Sequence, residues 1–512
     1  MTRTIVVGSS GTAAADVIDV ARHDARVGLS SEALEAMARG RAAVERLADA
    51  PEPVYGISTG FGALALRHIP AESRDELQVR LIRSHAAGMG KPVEREVVRA
   101  LLFLRLKTMA SGHTGARPEL AEAMAAMLNA GITPVVPEFG SLGCSGDLAP
   151  LAHCALVLIG EGRAMVDDRE LDGCTALGEA GLDPVRLEVK EGLALINGTD
   201  GMLGTLLLAC ADLGDLCRLV DVTAAMSVEA LLGTDQVFRP GLQTPLRPHP
   251  GQAASADNIL RLMAGSAIVA SHRAGDVRVQ DAYSCRCAPH VAGAVRDTLD
   301  HASTVAKREL AASIDNPVVL DSGEVVSSGN FHGAPLGYVM DFLAIAIADL
   351  GSMAERRTDR LLDHTRSQGL PPFLASDPGV DSGLMIAQYA QASMVSENKR
   401  LASPASVDSI PSSAMQEDHV SMGWNSARKL RQAIDNLRHI LVVELVTSAR
   451  ALDLRAPLHP APATAAVVTA LRRAVPGPGP DRAVAPELAA AETLVREGTI
   501  LKAATEVIGP FK

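Results

Sequence analysis

The chain has 512 residues, with 48 Lys plus Arg against 60 Asp plus Glu and a net charge of −12. Without a basic block, that balance excludes a surface built to hold nucleic-acid phosphates or anionic lipid, both of which need clustered Lys and Arg. At 47% hydrophobic and only 3% aromatic, the sequence predicts an ordered protein with an aliphatic, Ala-rich core.

In chain order, the first third mixes short β-rich pieces (residues 4–7, 54–58 and 133–136) with helical stretches (73–89 and 94–109), punctuated by Gly- and Ser-rich turns. From Asn197 the pattern changes to long apolar segments of helical length: 202–232, 291–312, 336–356, 384–401 and 426–452. The 336–356 segment is apolar on nearly every face and is expected inside a helical bundle. Pro457, Pro460 and Pro462, then Pro476-Gly477-Pro478-Gly479-Pro480, flank a short helix at 463–474, and the tail after Asp481 is expected to be helical. The fold class is therefore mainly α: a long central helical bundle with a loop-rich α+β N-terminal part. The corresponding domains are 1–196, 197–460 and a C-terminal helical appendage at 461–512.

The seven cysteines form no CxxC pair, and an odd number does not suit a disulfide framework, so a reducing, cytoplasmic setting is expected. Residues 1–10 lack the basic and apolar regions of a leader. The most apolar run, 331–350, is interrupted by Asp341 and Asp349, so neither a membrane nor nucleic acid is an expected partner. No His or Cys spacing suggests a metal site.

Two stretches could carry chemistry. Tyr55 heads Gly56-Ile57-Ser58-Thr59-Gly60-Phe61-Gly62, where glycines let the backbone approach a ligand closely; it is either an ordinary half-buried tyrosine or a proton-transferring phenol. The second runs Gly140-Ser141-Leu142-Gly143-Cys144-Ser145-Gly146-Asp147-Leu148-Ala149-Pro150-Leu151-Ala152-His153. Asp147 suits a helix cap and Pro150 a first turn, which places Cys144-Ser145-Gly146 before a helix N-terminus whose dipole favours negative charge. A plain Gly/Ser turn is one reading. The other is chemical: the Gly146 amide nitrogen, with no Cβ to hinder it, attacks the Cys144 carbonyl, and loss of water from the ring and from Ser145 leaves an exocyclic methylidene.

These two stretches resemble the aromatic amino acid ammonia-lyases that carry the methylidene-imidazolone (MIO) prosthetic group. Further matches are Ser84-His85-Ala86-Ala87-Gly88, Asn197-Gly198-Thr199-Asp200, Gln280-Asp281-Ala282-Tyr283-Ser284-Cys285-Arg286-Cys287, Gly329-Asn330-Phe331-His332-Gly333 and Gln416-Glu417-Asp418-His419-Val420-Ser421-Met422-Gly423, in order along almost the whole chain. The resemblance implies a homotetramer whose central helices share one bundle, with active sites drawn from more than one subunit. It also implies an MIO group formed from Cys144, Ser145 and Gly146, with no external cofactor. Cys144 stands where the family usually has Ala; it supplies only ring carbons, so cyclisation is not prevented, but a thiol then sits beside an electrophile. His290 stands where relatives more often carry Gln.

By resemblance, Ser145 provides the methylidene that captures the substrate amine, and Tyr55 takes the β-proton. Attack by an imidazole ring is the alternative adduct. Arg286 clamps the α-carboxylate, Tyr283 and Asn197 position the amine and the ring carbonyl, and Gln280 and Phe331 complete the pocket. The Ser84-His85 pair, Glu417 and Met385 point to L-histidine as substrate and trans-urocanate as product. A carboxylate beside imidazole accepts an N–H, whereas beside a bare phenyl it is desolvated without a partner, at about 1–3 kcal/mol. The competing expectations are a tyrosine or phenylalanine ammonia-lyase or aminomutase of the same family and, from a different class, a silent scaffold or thiol sensor using Cys144. His153, His332 and His419 are expected to be structural hydrogen bonders.

Overall fold

Segments rich in Ala, Leu, Arg and Glu, which lose little side-chain freedom in a helix, make this structure mainly α. The computed structural model describes residues 3–50 and 52–512; Met1 and Thr2, within the stretch read for a leader, and Pro51 lie outside the described residues. The predicted long helices are present with shifted ends: Arg74–His85, Arg95–Ala110, Asp200–Ala230, Ala288–Leu310, Ala334–Leu362, Met385–Leu401 and Gly423–Asp453. Contacts group the chain into two units, Met1–Ala209 with Ser303–Asp341 and Pro404–Arg428, and Cys210–Ala302 with Phe342–Ser403 and Lys429–Lys512. The division into 1–196, 197–460 and 461–512 follows element type along the sequence, whereas the contact grouping cuts inside four of the long helices.

The first unit carries small sheets: a parallel pair, Thr4–Val7 with Arg26–Leu29, and antiparallel pairings among Met89–Pro92, Pro137–Phe139, Thr133–Pro134, Arg163–Val166 and Arg169–Asp172. The strand expected at 54–58 is instead a turn. The Ile57 and Ser58 amides both donate to the Val54 carbonyl, at 3.1 and 3.0 Å, because Gly56 adopts φ +73°, outside the extended region. At the centre, the Arg95–Ala110 helix is buried from Val97 to its end. Its buried cations each donate to distant carbonyls: Arg99 to Val20 and Leu128 at 3.0 and 3.1 Å, Lys107 to Ala312 at 2.6 Å, and Arg105 to Asn197 and Ile314 at 2.9 and 3.0 Å. Left unpaired, such groups would cost several kcal/mol; paired, they fix where remote segments cross this helix.

In the second unit the helices approach closely because the residues between them are small. Ala224, Ala225, Ala433 and Ala449 are fully buried, and a Cβ on Gly351 would stand 3.1 Å from the Ile440 side chain. The Arg357 guanidinium donates to the buried Glu444 carboxylate, with Nη2 2.9 Å from Oε2, and the Ser227 hydroxyl donates to Oε1 at 2.8 Å. Glu229 accepts from the Ala461 amide and the Thr464 hydroxyl, both at 2.6 Å, which ties down the Pro462–Leu471 helix. The tail forms the Ala485–Arg496 and Thr499–Ile508 helices.

Within this one chain the 336–356 segment is covered on one face. In Ala334–Leu362, Leu336, Met340, Leu343 and Ile347 are buried, but Tyr338, Phe342 and Ile345 are 57%, 48% and 47% exposed. One chain covers one apolar stripe and leaves the other open. By length and composition this helix could cross a membrane; 61% of its most apolar window is buried within the protein. Ile386 and Tyr389 are likewise exposed on Met385–Leu401.

Candidate active site

Two glycines in left-handed backbone, Gly143 (φ +69°) and Gly146 (φ +76°), bracket Cys144 and Ser145. A Cβ on Gly146 would lie 2.2 Å from the Gly198 carbonyl oxygen, so only glycine permits the approach. The neighbouring Asp147 amide donates to that same oxygen at 2.7 Å. The Leu148–Leu158 helix starts immediately afterwards, with Asp147 at its N-cap position and Pro150 in its first turn. The Asp147 side chain, however, does not cap this helix. Its carboxylate accepts from the Met202 amide at 2.9 Å and the Ser141 hydroxyl at 3.0 Å, and so serves the first turn of Asp200–Ala230. Burial pushes the Asp147 pKa up to about 7 against the pull of these donors.

Ser145 opens on a cavity of about 820 Å³, also lined by Tyr55, His85, Asn197 and Glu417. The Tyr55 phenol oxygen accepts from the Gly62 amide at 3.3 Å. Asn197 is fixed through both its ends: Arg105 holds its carbonyl, and its Nδ2 donates to the Asn316 carbonyl at 3.0 Å. Its Oδ1 is buried without a partner. His85 Nδ1 lies 2.9 Å from the Leu81 carbonyl, which can only accept, so in the neutral ring Nδ1 carries the hydrogen and Nε2 is free to accept. Burial lowers the His85 pKa, opposed by the Leu81 carbonyl and Glu417.

Glu417 joins the tripeptide to a second segment. Oε1 accepts from the Ser145 hydroxyl at 3.0 Å; Oε2 accepts from the Cys144 thiol at 3.2 Å and the Ser412 hydroxyl at 2.9 Å. Paired backbone hydrogen bonds between Ser412 and Glu417, at 2.9 and 3.2 Å, hold that segment. Burial, reinforced by Glu417, pushes the Cys144 pKa up to about 11, so it remains a thiol and a donor at neutral pH. The residues fit an MIO ring: Gly146 sits in a cradle a Cβ would fill, and Ser145 and Asn197 line the cavity.

The remaining predicted residues do not line this cavity. Phe331 is half-buried in a segment whose Gly333 amide donates to the Gly143 carbonyl at 3.0 Å. Gln280 and Arg286 line a separate cavity of about 610 Å³, and Arg286 stacks 4.6 Å over the ring of Tyr283, which is 68% exposed. The Arg286 Nε is buried without a partner. Met385 begins the Met385–Leu401 helix. His290 is also left with a buried, unpartnered Nδ1.

His153 Nε2 accepts from the Gly88 amide at 3.1 Å, and His332 and His419 lie against each other with ring centroids 5.5 Å apart. Among the described residues no group of three or more His, Cys, Asp or Glu could hold a metal, and all seven cysteines are free. Sequence reasoning missed Ser412, which carries no pattern of its own, and Arg105, for which cations set within the apolar run of Arg95–Ala110 were an available signal.

The aromatic amino acid lyase family model matches residues 12–473. The chain is 66% identical to the histidine ammonia-lyase of Streptomyces griseus over 512 residues, 99% of each chain, and 49% identical to that of Gloeobacter violaceus over 512 residues, again 99% of each. Among solved structures it is similar to the tyrosine aminomutase of Streptomyces globisporus (TM-score 0.94, 37% identity, covering 99% of this chain and 100% of that one). It is also similar to the histidine ammonia-lyase of Trypanosoma cruzi (TM-score 0.90, 35% identity, 98% and 95%).

Proposed function

Because the chain belongs to the aromatic amino acid lyase family, we propose that it removes ammonia non-oxidatively from L-histidine to give trans-urocanate. The single observation that carries the choice of substrate is the placement of His85 and Glu417 on the cavity that Ser145 faces. Glu417 accepts an imidazole N–H there; a phenyl ring would leave that carboxylate desolvated.

The electrophile forms from this chain alone. A bond from the Gly146 nitrogen to the Cys144 carbonyl carbon closes the ring; one water leaves with the carbonyl oxygen and the hydrogens of the Ser145 and Gly146 amides. A second leaves with the Ser145 hydroxyl and its Cα hydrogen. The MIO group supplies an electrophile that turns the substrate amine into a competent leaving group. Asn197, which lines the cavity beside Ser145, positions the amine. Tyr55 takes the β-proton, and the Gly62 N–H points at the oxygen that must bear negative charge before doing so.

Gln280, Tyr283, Arg286 and Met385 would serve the substrate from neighbouring copies in a homotetramer. The exposed apolar stripe of Tyr338, Phe342 and Ile345 supports that assembly. The test is to incubate the protein with L-histidine, L-tyrosine and L-phenylalanine separately and follow arylacrylate absorbance alongside intact mass. Urocanate from histidine, a mass two waters below the encoded value, and loss of both in Ser145→Ala are expected. Product from tyrosine or phenylalanine alone would replace the substrate assignment.

A further inference from the structure

Three donors hold the Glu417 carboxylate, and in the function proposed above one of them is consumed. The Ser145 hydroxyl, 3.0 Å from Oε1, leaves as water when the ring matures. Oε2 keeps the Cys144 thiol at 3.2 Å and the Ser412 hydroxyl at 2.9 Å. We propose that Cys144 is a positioning residue for Glu417: with Ser412 it locks Oε2, so that Oε1, freed by dehydration, becomes the one open acceptor for the imidazole N–H.

Several observations support this assignment. Cys144 is buried, 7% exposed, and its sulfur has a carboxylate rather than another thiol as its partner. Burial and the facing carboxylate keep it protonated, so the S–H bond persists across neutral pH. The two Oε2 donors come from different segments, Cys144 from the loop before the Leu148–Leu158 helix and Ser412 from the segment that carries Glu417. Together they remove the carboxylate's freedom to turn about its final bond, which either donor alone permits. With alanine at 144, Ser412 is the only donor left on Oε2 in the mature site, and Oε1 loses its fixed direction. Cys144 thus acts on ring recognition, through Glu417, and not on the elimination itself.

The inference rests on imidazole lying against Glu417, and the experiment separates the two. In a Ser145→Ala background, which lacks both the hydroxyl and the ring, L-histidine and L-phenylalanine binding are measured by calorimetry. Adding Cys144→Ala should weaken L-histidine binding about three- to tenfold, the range for one hydrogen bond, and leave L-phenylalanine unchanged. Cys144→Ser, which keeps a donor, should restore histidine binding. Ser412→Ala should weaken it comparably, which keeps the test open should Cys144→Ala fold poorly. In the mature enzyme the same Cys144→Ala change should raise KM for histidine by a similar factor with kcat nearly constant. Undiminished histidine binding in Cys144→Ala, or equal losses for histidine and phenylalanine, would overturn the assignment. Unchanged histidine binding in Glu417→Gln would instead remove the reading on which it stands, and the inference with it.

Discussion

Gly146→Ala tests the geometry on which ring formation depends. The new methyl group would stand 2.2 Å from the Gly198 carbonyl oxygen and 2.4 Å from its carbon, where ordinary contacts begin near ~3.5 Å. The loops around residues 146 and 198 must therefore separate by roughly an ångström, and the 2.7 Å hydrogen bond from the Asp147 amide to Gly198 is lost. An alanine held at φ +76° costs about 1–2 kcal/mol, and the broken hydrogen bond about 0.5–1.5 kcal/mol. The sum, about 1.5–3.5 kcal/mol, is smaller than the ~5–15 kcal/mol that holds a typical domain together, so the variant should fold with a lowered Tm. Cyclisation is far less tolerant, since an ångström of misplacement between reacting atoms costs on the order of a hundredfold. Intact mass and thermal melting on one preparation give the answer: a folded protein at its full encoded mass with no turnover is expected. A Gly146→Ala protein two waters light, with normal turnover, would refute the reasoning.

Tyr55→Phe should lower kcat at least ~100-fold with little change in KM, as expected for loss of the proton acceptor; a change confined to KM in steady-state assays would make Tyr55 a binding residue instead. Asp147 should make stability depend on pH. Its folded pKa of about 7 lies above its ordinary value of 3.8, so its contribution is fully present below about pH 4 and lost as pH rises through about 7. Urea unfolding should therefore give a higher free energy at pH 5.5 than at pH 8, with a flatter profile in Asp147→Asn; identical pH profiles for the two proteins would contradict this.

What the sequence revealed depended on whether the cause was local. The long helices show themselves through apolar runs of helical length, and the Cys144-Ser145-Gly146 tripeptide through the chemistry that an x-Ser-Gly sequence allows. Residues 54–58 misread as a strand because the apolar content is strand-like, while the chain turns at Gly56 in a place where a Cβ would meet Leu193 and Pro317, each at 2.9 Å, neighbours remote in sequence. Asp147 looked like the cap of the helix beside it, but the unsatisfied amide it serves belongs to Met202, which is local only in three dimensions. Tyr338, Phe342 and Ile345 read as core because hydropathy reports the tendency to leave water, not which surface provides the cover. The donors that converge on Glu417 were equally invisible, because Ser412 and Cys144 share no periodicity.

The interlock between Gly146 and Gly198 also bears on when the protein becomes active. The nitrogen that must attack is in place only once a segment synthesised later has folded back to grip its neighbour. Under the cyclisation proposed above, a nascent chain that has not reached that point would keep its waters, and dehydration would be a covalent record that the two segments met. Copies in which the two segments never met would stay two waters heavy, so a balance alone could count the matured fraction of a preparation.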